Sequence, residues 1–191
     1  MGDYASRTFD EAELLALGPH ELEEAEFYDC VFRRVDFSKV PWRAPRVVGG
    51  RFEACNLSNV DLRNAVFRGT TFEGTKALGV NWCELRAFEK PVFRDCVLDY
   101  GVFQDLRLEA FVGTDSSLLE ADFAGAKLAK ADFSRSRLNG ALFRGADLRE
   151  ANLLGAEGYA IDPTATKVRG LRCRFPEALS LLAALGIRVE P

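Results

Sequence analysis

Few side chains in this sequence could do chemistry. The candidates are one histidine (His20), five cysteines (Cys30, Cys55, Cys83, Cys96 and Cys173) and a recurring polar set, Asp122, Asp132, Asp147 and Asn152. A lone histidine leaves no histidine-rich metal site and little histidine-based catalysis. No C-x-x-C occurs, and the spacing of Cys83 and Cys173 matches no metal motif. Carboxylates could hydrolyse a glycoside, but only if clustered across a cleft. The stretch Gly69 to Lys76, G-T-T-F-E-G-T-K, has the look of a phosphate loop without the G-K-S/T ending, and it joins no strand to a helix. No catalytic residue, metal or cofactor is expected, and an enzyme is not.

The chain that must position these groups has 191 residues, 48% hydrophobic and 28% charged, the balance of one soluble globular domain. It holds no run near the roughly 18 apolar residues of a membrane span, and its start has no secretory pattern, so a cytoplasmic protein without membrane contact is expected. A net charge of -4 argues against direct nucleic-acid binding. That charge is uneven. Residues 1–30 carry nine acids against the single base Arg7, and residues 1–26 read as an acidic N-terminal cap segment, with His20 exposed in a turn before the main fold.

Large apolar residues return every five positions, a period of neither helix nor strand. The series runs Phe27, Phe32, Phe37, Trp42, Val47, Phe52, Leu57, Leu62, Phe67, Phe72, Ala77 and Trp82, and after a one-residue slip Phe88, Phe93, Leu98, Phe103, Leu108, Gly113, Leu118, Phe123, Leu128, Phe133, Leu138, Phe143, Leu148 and Leu153. Two positions before each stands a mostly small residue, such as Ala121, Ala126, Ala131 and Ser136. One large and one small inward residue per five is what a coil with four short sides requires, the small one letting the corner close. Residues twenty apart then stack: Trp42, Leu62, Trp82 and Phe103 in one interior column, Phe32, Phe52, Phe72 and Phe93 in another. Cys30, Cys55 and Cys96 fall on the small inward position and read as core fillers. The recurring aspartates fall on the repeat's own polar position.

The run A-D-F-A-G-A-K-L-A-K-A-D-F-S-R-S-R-L-N-G-A-L-F-R-G-A-D-L-R-E-A-N-L-L-G, residues 121–155, resembles the pentapeptide-repeat family, whose unit is A-(D/N)-(L/F)-x-x. The resemblance implies an all-β solenoid, a right-handed quadrilateral β-helix with four units per coil, here over residues 25–157 with a phase slip at 83–92. Its core would include Phe32, Phe52, Phe72, Phe93, Phe123, Phe133, Phe143 and Leu148. Such a rod would be on the order of 30 Å long at the strand spacing of about 4.8 Å.

A solenoid needs its ends covered. At the front, Thr8-Phe9-Asp10-Glu11 reads as a capping box leading into a short helix, Ala12 to Leu17, stopped by Gly18. At the back, within a C-terminal segment 158–191, Pro176 to Gly186 reads as a helix. Its continuation S-L-L-A-A-L-G-I-R-V is similar to the tail of the quinolone-resistance branch of the family, which implies a homodimer through Leu179, Leu181, Leu182, Leu185 and Ile187; a helix that only caps its own coil is the alternative. Two irregular places stand out. Residues 41–50 add prolines, with three unpaired positives in or next to the stretch, Arg43, Arg46 and Arg51. The slip at 83–92 reads as a partner-contacting loop with Glu84, Arg86, Phe88, Glu89 and Lys90.

That branch binds DNA gyrase or topoisomerase IV as a DNA-mimicking dimer and protects it from fluoroquinolone- or albicidin-type poisons, and the resemblance implies the same here. Mimicry of that kind asks for an acidic rod. From Phe27 to Glu157, however, there are 18 acids and 19 bases. A scaffold for some other protein is the competing reading; a continuous acidic face would favour mimicry, and mixed charge on all four faces the scaffold. The register itself is testable by thermal unfolding. Ala131→Arg should abolish folding, because a long charged side chain has no room at a closed corner, whereas Arg135→Ala should change stability by no more than about 0.5 kcal/mol. Equal effects would contradict the register.

Overall fold

The computed structural model describes residues 2–189. In chain order it contains β1 (Asp3–Ala5), β2 (Thr8–Phe9), α1 (Glu11–Leu17) and α2 (Pro19–Leu22). Four strand pairs follow: β3 (Glu26–Tyr28) with β4 (Val31–Arg33), β5 (Arg46–Val48) with β6 (Arg51–Glu53), β7 (Val66–Arg68) with β8 (Thr71–Glu73), and β9 (Ala87–Glu89) with β10 (Val92–Arg94). The single strand β11 (Val112–Thr114) and helix α3 (Leu179–Ala184) complete the set, with a 3-10 turn at Trp82–Glu84. Apart from the two-residue β2, each strand is three residues long, with its central residue pointing inward and the two beside it facing mostly outward before the chain turns. Two parallel sheets result, ordered β1-β3-β5-β7-β9 and β11-β10-β8-β6-β4-β2. We call these the first and second sides of the coil. The third and fourth sides are held by isolated parallel bridges such as Asn56↔Lys76 and Val102↔Asp122.

The pairing register carries the twenty-residue turn directly: Phe32 lies over Phe52, Phe52 over Phe72, and, after the inserted residue, Phe72 over Phe93 at an offset of 21. Every residue of the expected inward series from Phe27 to Leu153 is buried. On the second side the rings of Phe32, Phe52, Phe72 and Phe93 stack at 4.6 to 4.9 Å between centroids. On the fourth, Trp82, Phe103, Phe123 and Phe143 do the same at 4.7 to 5.8 Å. Offset stacking adds about 0.5 to 1.5 kcal/mol per pair to ordinary apolar burial. The third column, Phe37, Leu57, Ala77, Leu98, Leu118 and Leu138, is equally buried.

Gly113, which breaks the large-residue series, is compensated from the position normally kept small. Phe111 turns into the core and its ring sits 5.8 Å from Phe93 and 5.3 Å from Phe133, bridging the gap in that column. A Cβ on Gly113 would lie 2.6 Å from that ring. Large and small have exchanged places within one unit.

Corners turn at the second residue after each inward one. Residues at this place, including Asp29, Arg34, Asp95, Tyr100, Glu120 and Arg135, have positive φ, and 18 described non-glycine residues do so in all. Left-handed backbone costs a non-glycine residue roughly 1 to 2 kcal/mol, so the coil is closed against a local cost at most corners. The inward small residue has a different task from the corner-turning one expected of it: it lies against the wall of the preceding unit, where a Cβ on Gly101 would come 2.9 Å from the Leu98 carbonyl oxygen.

The coil runs past the expected 25–157 at both ends. β1 and β2 lie on β3 and β4, so residues 3–9 form two sides of a first turn. Bridges Asp147↔Lys167 and Asn152↔Arg172 carry the ladder to residue 172 at the other end. In the first turn α1 and α2 replace the third and fourth sides, and Leu14 and Leu22 close the core there. The capping box lies two residues later than expected, since Thr8 and Phe9 are taken by β2. Asp10 accepts from the Glu13 amide at 2.9 Å and the Glu13 carboxylate accepts from the Asp10 amide at 2.9 Å, with Gly18 ending α1. Over the rings of Tyr4 and Phe9 lies the guanidinium of Arg7, at 5.6 and 4.7 Å.

Cys30, Cys55 and Cys96 are buried on the small position, and the thiols of Cys55 and Cys96 donate to backbone carbonyls at 3.2 Å. Burial pushes both of these thiols up to about 11. In the folded protein at pH 8 a thiol reagent should therefore label exposed Cys83 and leave Cys30, Cys55 and Cys96 until denaturant is added; fast native labelling of those three would contradict the register. The exchange at Gly113 makes a second prediction. Phe111→Ala should cost about 3 to 5 kcal/mol in chemical unfolding by opening the column. Adding Gly113→Phe, which restores the regular unit, should recover much of that loss, and a double variant no more stable than the single one would show that the exchange is not compensatory.

Candidate protein-binding surface

Whatever this rod binds must be recognised by outward residues, so its charge is best read side by side. Each of the four sides carries both signs. Opposite charges also meet across turns, as Arg33 with Glu53 at 2.7 Å, Arg68 with Glu89 at 3.0 Å and Arg135 with Asp115 at 2.5 Å. The Arg135 guanidinium holds the Asp115 carboxyl below its ordinary range, and hydrogen bonds from Arg63 hold that of Asp61 at about 2. No acidic face runs the length of the rod.

One part of it is different. On the third and fourth sides of three successive turns, residues 77–85, 96–106 and 116–126, stand Glu84, Asp99, Asp105, Glu120 and Asp122 without a single lysine, arginine or histidine. Asp99 accepts from the Ser117 hydroxyl at 2.5 Å and the Leu119 amide at 2.9 Å; Asp122 accepts from the Ala124 amide at 2.9 Å and the Gln104 amide nitrogen at 2.5 Å. Asn81 donates to Glu84 at 3.1 Å. Asp99, Asp122 and Glu84 are thus fixed in direction at the surface. Among them Tyr100 stands 60% exposed on a left-handed corner, with Leu78 exposed one turn below. Cys83 lies in the same area with its thiol donating to the Gln104 carbonyl at 3.3 Å. Burial, together with the charges of Asp105, Asp122 and Glu84, pushes that thiol up.

The slip at 83–92 is not a projecting loop. Asn64 still bonds to Glu84 at an offset of twenty, and Val66 already pairs with Ala87 at 21, so the extra residue is absorbed at Leu85 and Arg86. Its effect falls on the turn above. Among the described residues no backbone hydrogen bond joins 86–90 to 106–110, and β9 is the last strand of its sheet. Of the expected contacting residues, Glu84 belongs to the acidic area and Arg86 and Lys90 are exposed. Glu89 is engaged by Arg68. Phe88 is removed from the set: it is 8% exposed and stacks on Trp82 at 4.9 Å.

The other irregular stretch also interrupts a ladder. Pro41 has no amide hydrogen, Trp42 bonds locally to Val40, and none of the described backbone groups of 40–44 and 60–64 bond to each other. An open groove of about 750 Å³ lies there, bordered by Trp42, Arg43, Asp61 and Arg63. The three arginines expected to be unpaired are mostly not so, because Arg43 meets Glu23 at 3.6 Å and Arg51 meets Glu53 at 3.4 Å.

At the C-terminus α3 is shorter than the 176–186 expected and contributes no buried residue. Leu179, Leu181 and Leu182 are half-buried, Leu181 against the core, while Leu185 and Ile187 are exposed. Residues 190 and 191 of the expected C-terminal segment lie outside the described residues. His20 is exposed, at α2, and no group of three or more His, Cys, Asp or Glu among the described residues could hold a metal ion. No described helix is long and apolar enough to cross a membrane.

The acidic area escapes a linear reading because its five acids are spread over nearly forty residues among bases that point elsewhere, such as Arg94 and Arg107. Sorting the sequence into columns of twenty, with one extra residue after Glu84, would have collected it.

Comparison with known proteins agrees with this architecture. The family model for Pentapeptide repeats matches residues 51–81 and 116–155, in eight copies. Two trypsin-treated variants of QnrB1, a plasmid-mediated fluoroquinolone resistance protein, share the fold: one has a TM-score of 0.65 at 18% identity and the other 0.62 at 17%, each alignment covering 99% of this chain and 98% of the other. A search of curated protein sequences finds no match. Pentapeptide repeats thus lie at residues 51–81 and 116–155, as the 121–155 motif implied, and the inward series runs on between them with the one-residue slip at Leu85 and Arg86.

Proposed function

We propose that this chain is a nonenzymatic, cytoplasmic protein-binding rod whose third and fourth sides, over residues 77–126, dock a basic surface of a partner protein. The observation that carries the reading is the five carboxylates about exposed Tyr100, three of them (Glu84, Asp99 and Asp122) fixed by hydrogen bonds, with no base among them. Fixed acids complement a basic patch without losing side-chain freedom on binding, and an aromatic at their centre supplies apolar contact. A type II topoisomerase, DNA gyrase or topoisomerase IV, is the first partner to test, because its DNA-binding surface is basic and because the fold is shared with a fluoroquinolone resistance protein. Contact would be confined to about three turns of the coil. The mixed charge elsewhere speaks against mimicry of duplex DNA along the whole rod and supports the second reading, a scaffold for another basic protein.

Gyrase supercoiling, titrated with the purified protein with and without ciprofloxacin or albicidin, separates these. Recovery of supercoiling under drug, or inhibition without it, is expected for a topoisomerase partner, and no effect at micromolar protein would leave the scaffold reading. Glu120→Lys and Tyr100→Gly should each weaken the effect by about tenfold or more, and Tyr100→Gly should do so without destabilising the rod, since glycine relieves a left-handed corner. A control, Glu150→Lys on the first side, should act like the unaltered protein. Equal effects of all three would refute the assignment of this face.

A further inference from the structure

We propose that copies of this chain associate head to tail, the open edge of the last turn pairing with β1 and β2 of the next copy to continue the coil. The backbone of both edges is complementary. At the tail, the amide N–H groups of Val168, Gly170 and Cys173 have no backbone acceptor among the described residues. At the head, Glu26 bonds to Gly2 and Ser6 to Tyr28, so β1 uses the groups of Gly2, Tyr4 and Ser6 toward β3. By the alternation of a parallel ladder, those of Asp3 and Ala5 face the opposite way, where no described strand lies.

Side chains agree with this register. Lys167 and Arg172 bridge to Asp147 and Asn152, which places Val168 and Cys173 in the inward columns of the first and second sides. Both are only half-buried, and so is neighbouring Leu171. Tyr4 and Phe9 occupy the same columns at the head, over Phe27 and Phe32. Stacking one end on the other sets Tyr4 over Val168 and Phe9 over Cys173. On the outside it sets Asp3 beside Lys167 and Thr8 beside Arg172. Outward residues related in this way already touch within the rod, as Asn56 with Asp36 at 3.1 Å and Asn152 with Asp132 at 3.0 Å.

Charge then selects the pairing of unlike ends. Nine acids against Arg7 crowd residues 1–30, and the last turn presents Lys167, Arg169, Arg172 and Arg174. Two heads repel, and so do two tail edges. In chain order α1 and α2 follow the second side of the first turn, and α3 follows the second side of the last, so no helix takes the place of the strands that must meet. Phe9 is fully buried at the head, and Arg7, whose guanidinium lies over the Tyr4 and Phe9 rings, must swing aside to uncover it. Arg7 is the intramolecular cap that competes with the next copy. Because tail and head are different surfaces, the contact does not close on itself and produces an open series of dimers, trimers and longer rods.

Sedimentation velocity from about 5 to 300 µM, at low and high salt, tests this with the full chain, a small end-on contact being expected to associate in the upper part of that range. The average mass should climb past the dimer with concentration and fall with salt. Asp3→Lys or Lys167→Glu alone should weaken association by about threefold to tenfold, and an equimolar mixture of the two variants should recover it as rods in which the variants alternate, since both unlike contacts then join opposite charges. Arg7→Ala should strengthen it. A monomer at all concentrations in low salt would overturn the proposal. So would a dimer that goes no further and ignores Asp3→Lys, which is the result a twofold pairing of Leu185 and Ile187 would produce.

Discussion

A chain that stacks on itself every twenty residues at the strand spacing has room inside for one large and one small side chain per five residues, and no more. That constraint governs the rest of the molecule. It explains the columns in which Phe32, Phe52, Phe72 and Phe93 lie ring on ring, and the need for Phe111 to move inward where Gly113 leaves a vacancy in the same column. It also explains why most corners tolerate a left-handed non-glycine residue. The local cost of each, roughly 1 to 2 kcal/mol, is small beside the burial of a phenylalanine together with closure of the parallel ladder.

Because the interior dictates two of every five residues, the other three are free to be chosen for the surface, and charge can vary without touching the fold. Over most of the rod the choice favours neutrality, with pairs such as Arg33 and Glu53 meeting across turns. On the third and fourth sides of the middle turns it does not, and Asp99, Asp122 and Glu84 there have their hydrogen bonds supplied by Ser117, Gln104, Asn81 and nearby amides rather than by bases. A surface built in this way holds its charge in place and leaves it uncompensated, which is the electrostatic requirement for meeting a basic partner.

The five-residue period made the interior legible, down to the columns and the cysteines that stand in for alanine, because nothing but a four-sided coil accounts for it. What stayed hidden has physical reasons. Residues 3–9 form two sides of the first turn, but Tyr4 and Phe9 make only two beats of the rhythm before α1 and α2 interrupt it, so they read as part of a cap. Val168 and Cys173 continue the inward columns with residues too small to mark a period, which is why the coil seemed to stop near residue 157. An insertion such as the one at Leu85 and Arg86 shows in sequence as a phase change, but whether it projects or is absorbed depends on the turn above, where the ladder opens. Surface charge needed the three-dimensional columns before its pattern appeared.

The central claim, that one acidic stretch of the rod is its partner-binding face, is tested most directly by amide hydrogen exchange of the protein with and without saturating gyrase. The account predicts new protection confined to residues 77–85, 96–106 and 116–126, with the first and second sides of the same turns unchanged. Protection centred on the basic last turn, on α3, or spread evenly around the coil would contradict it.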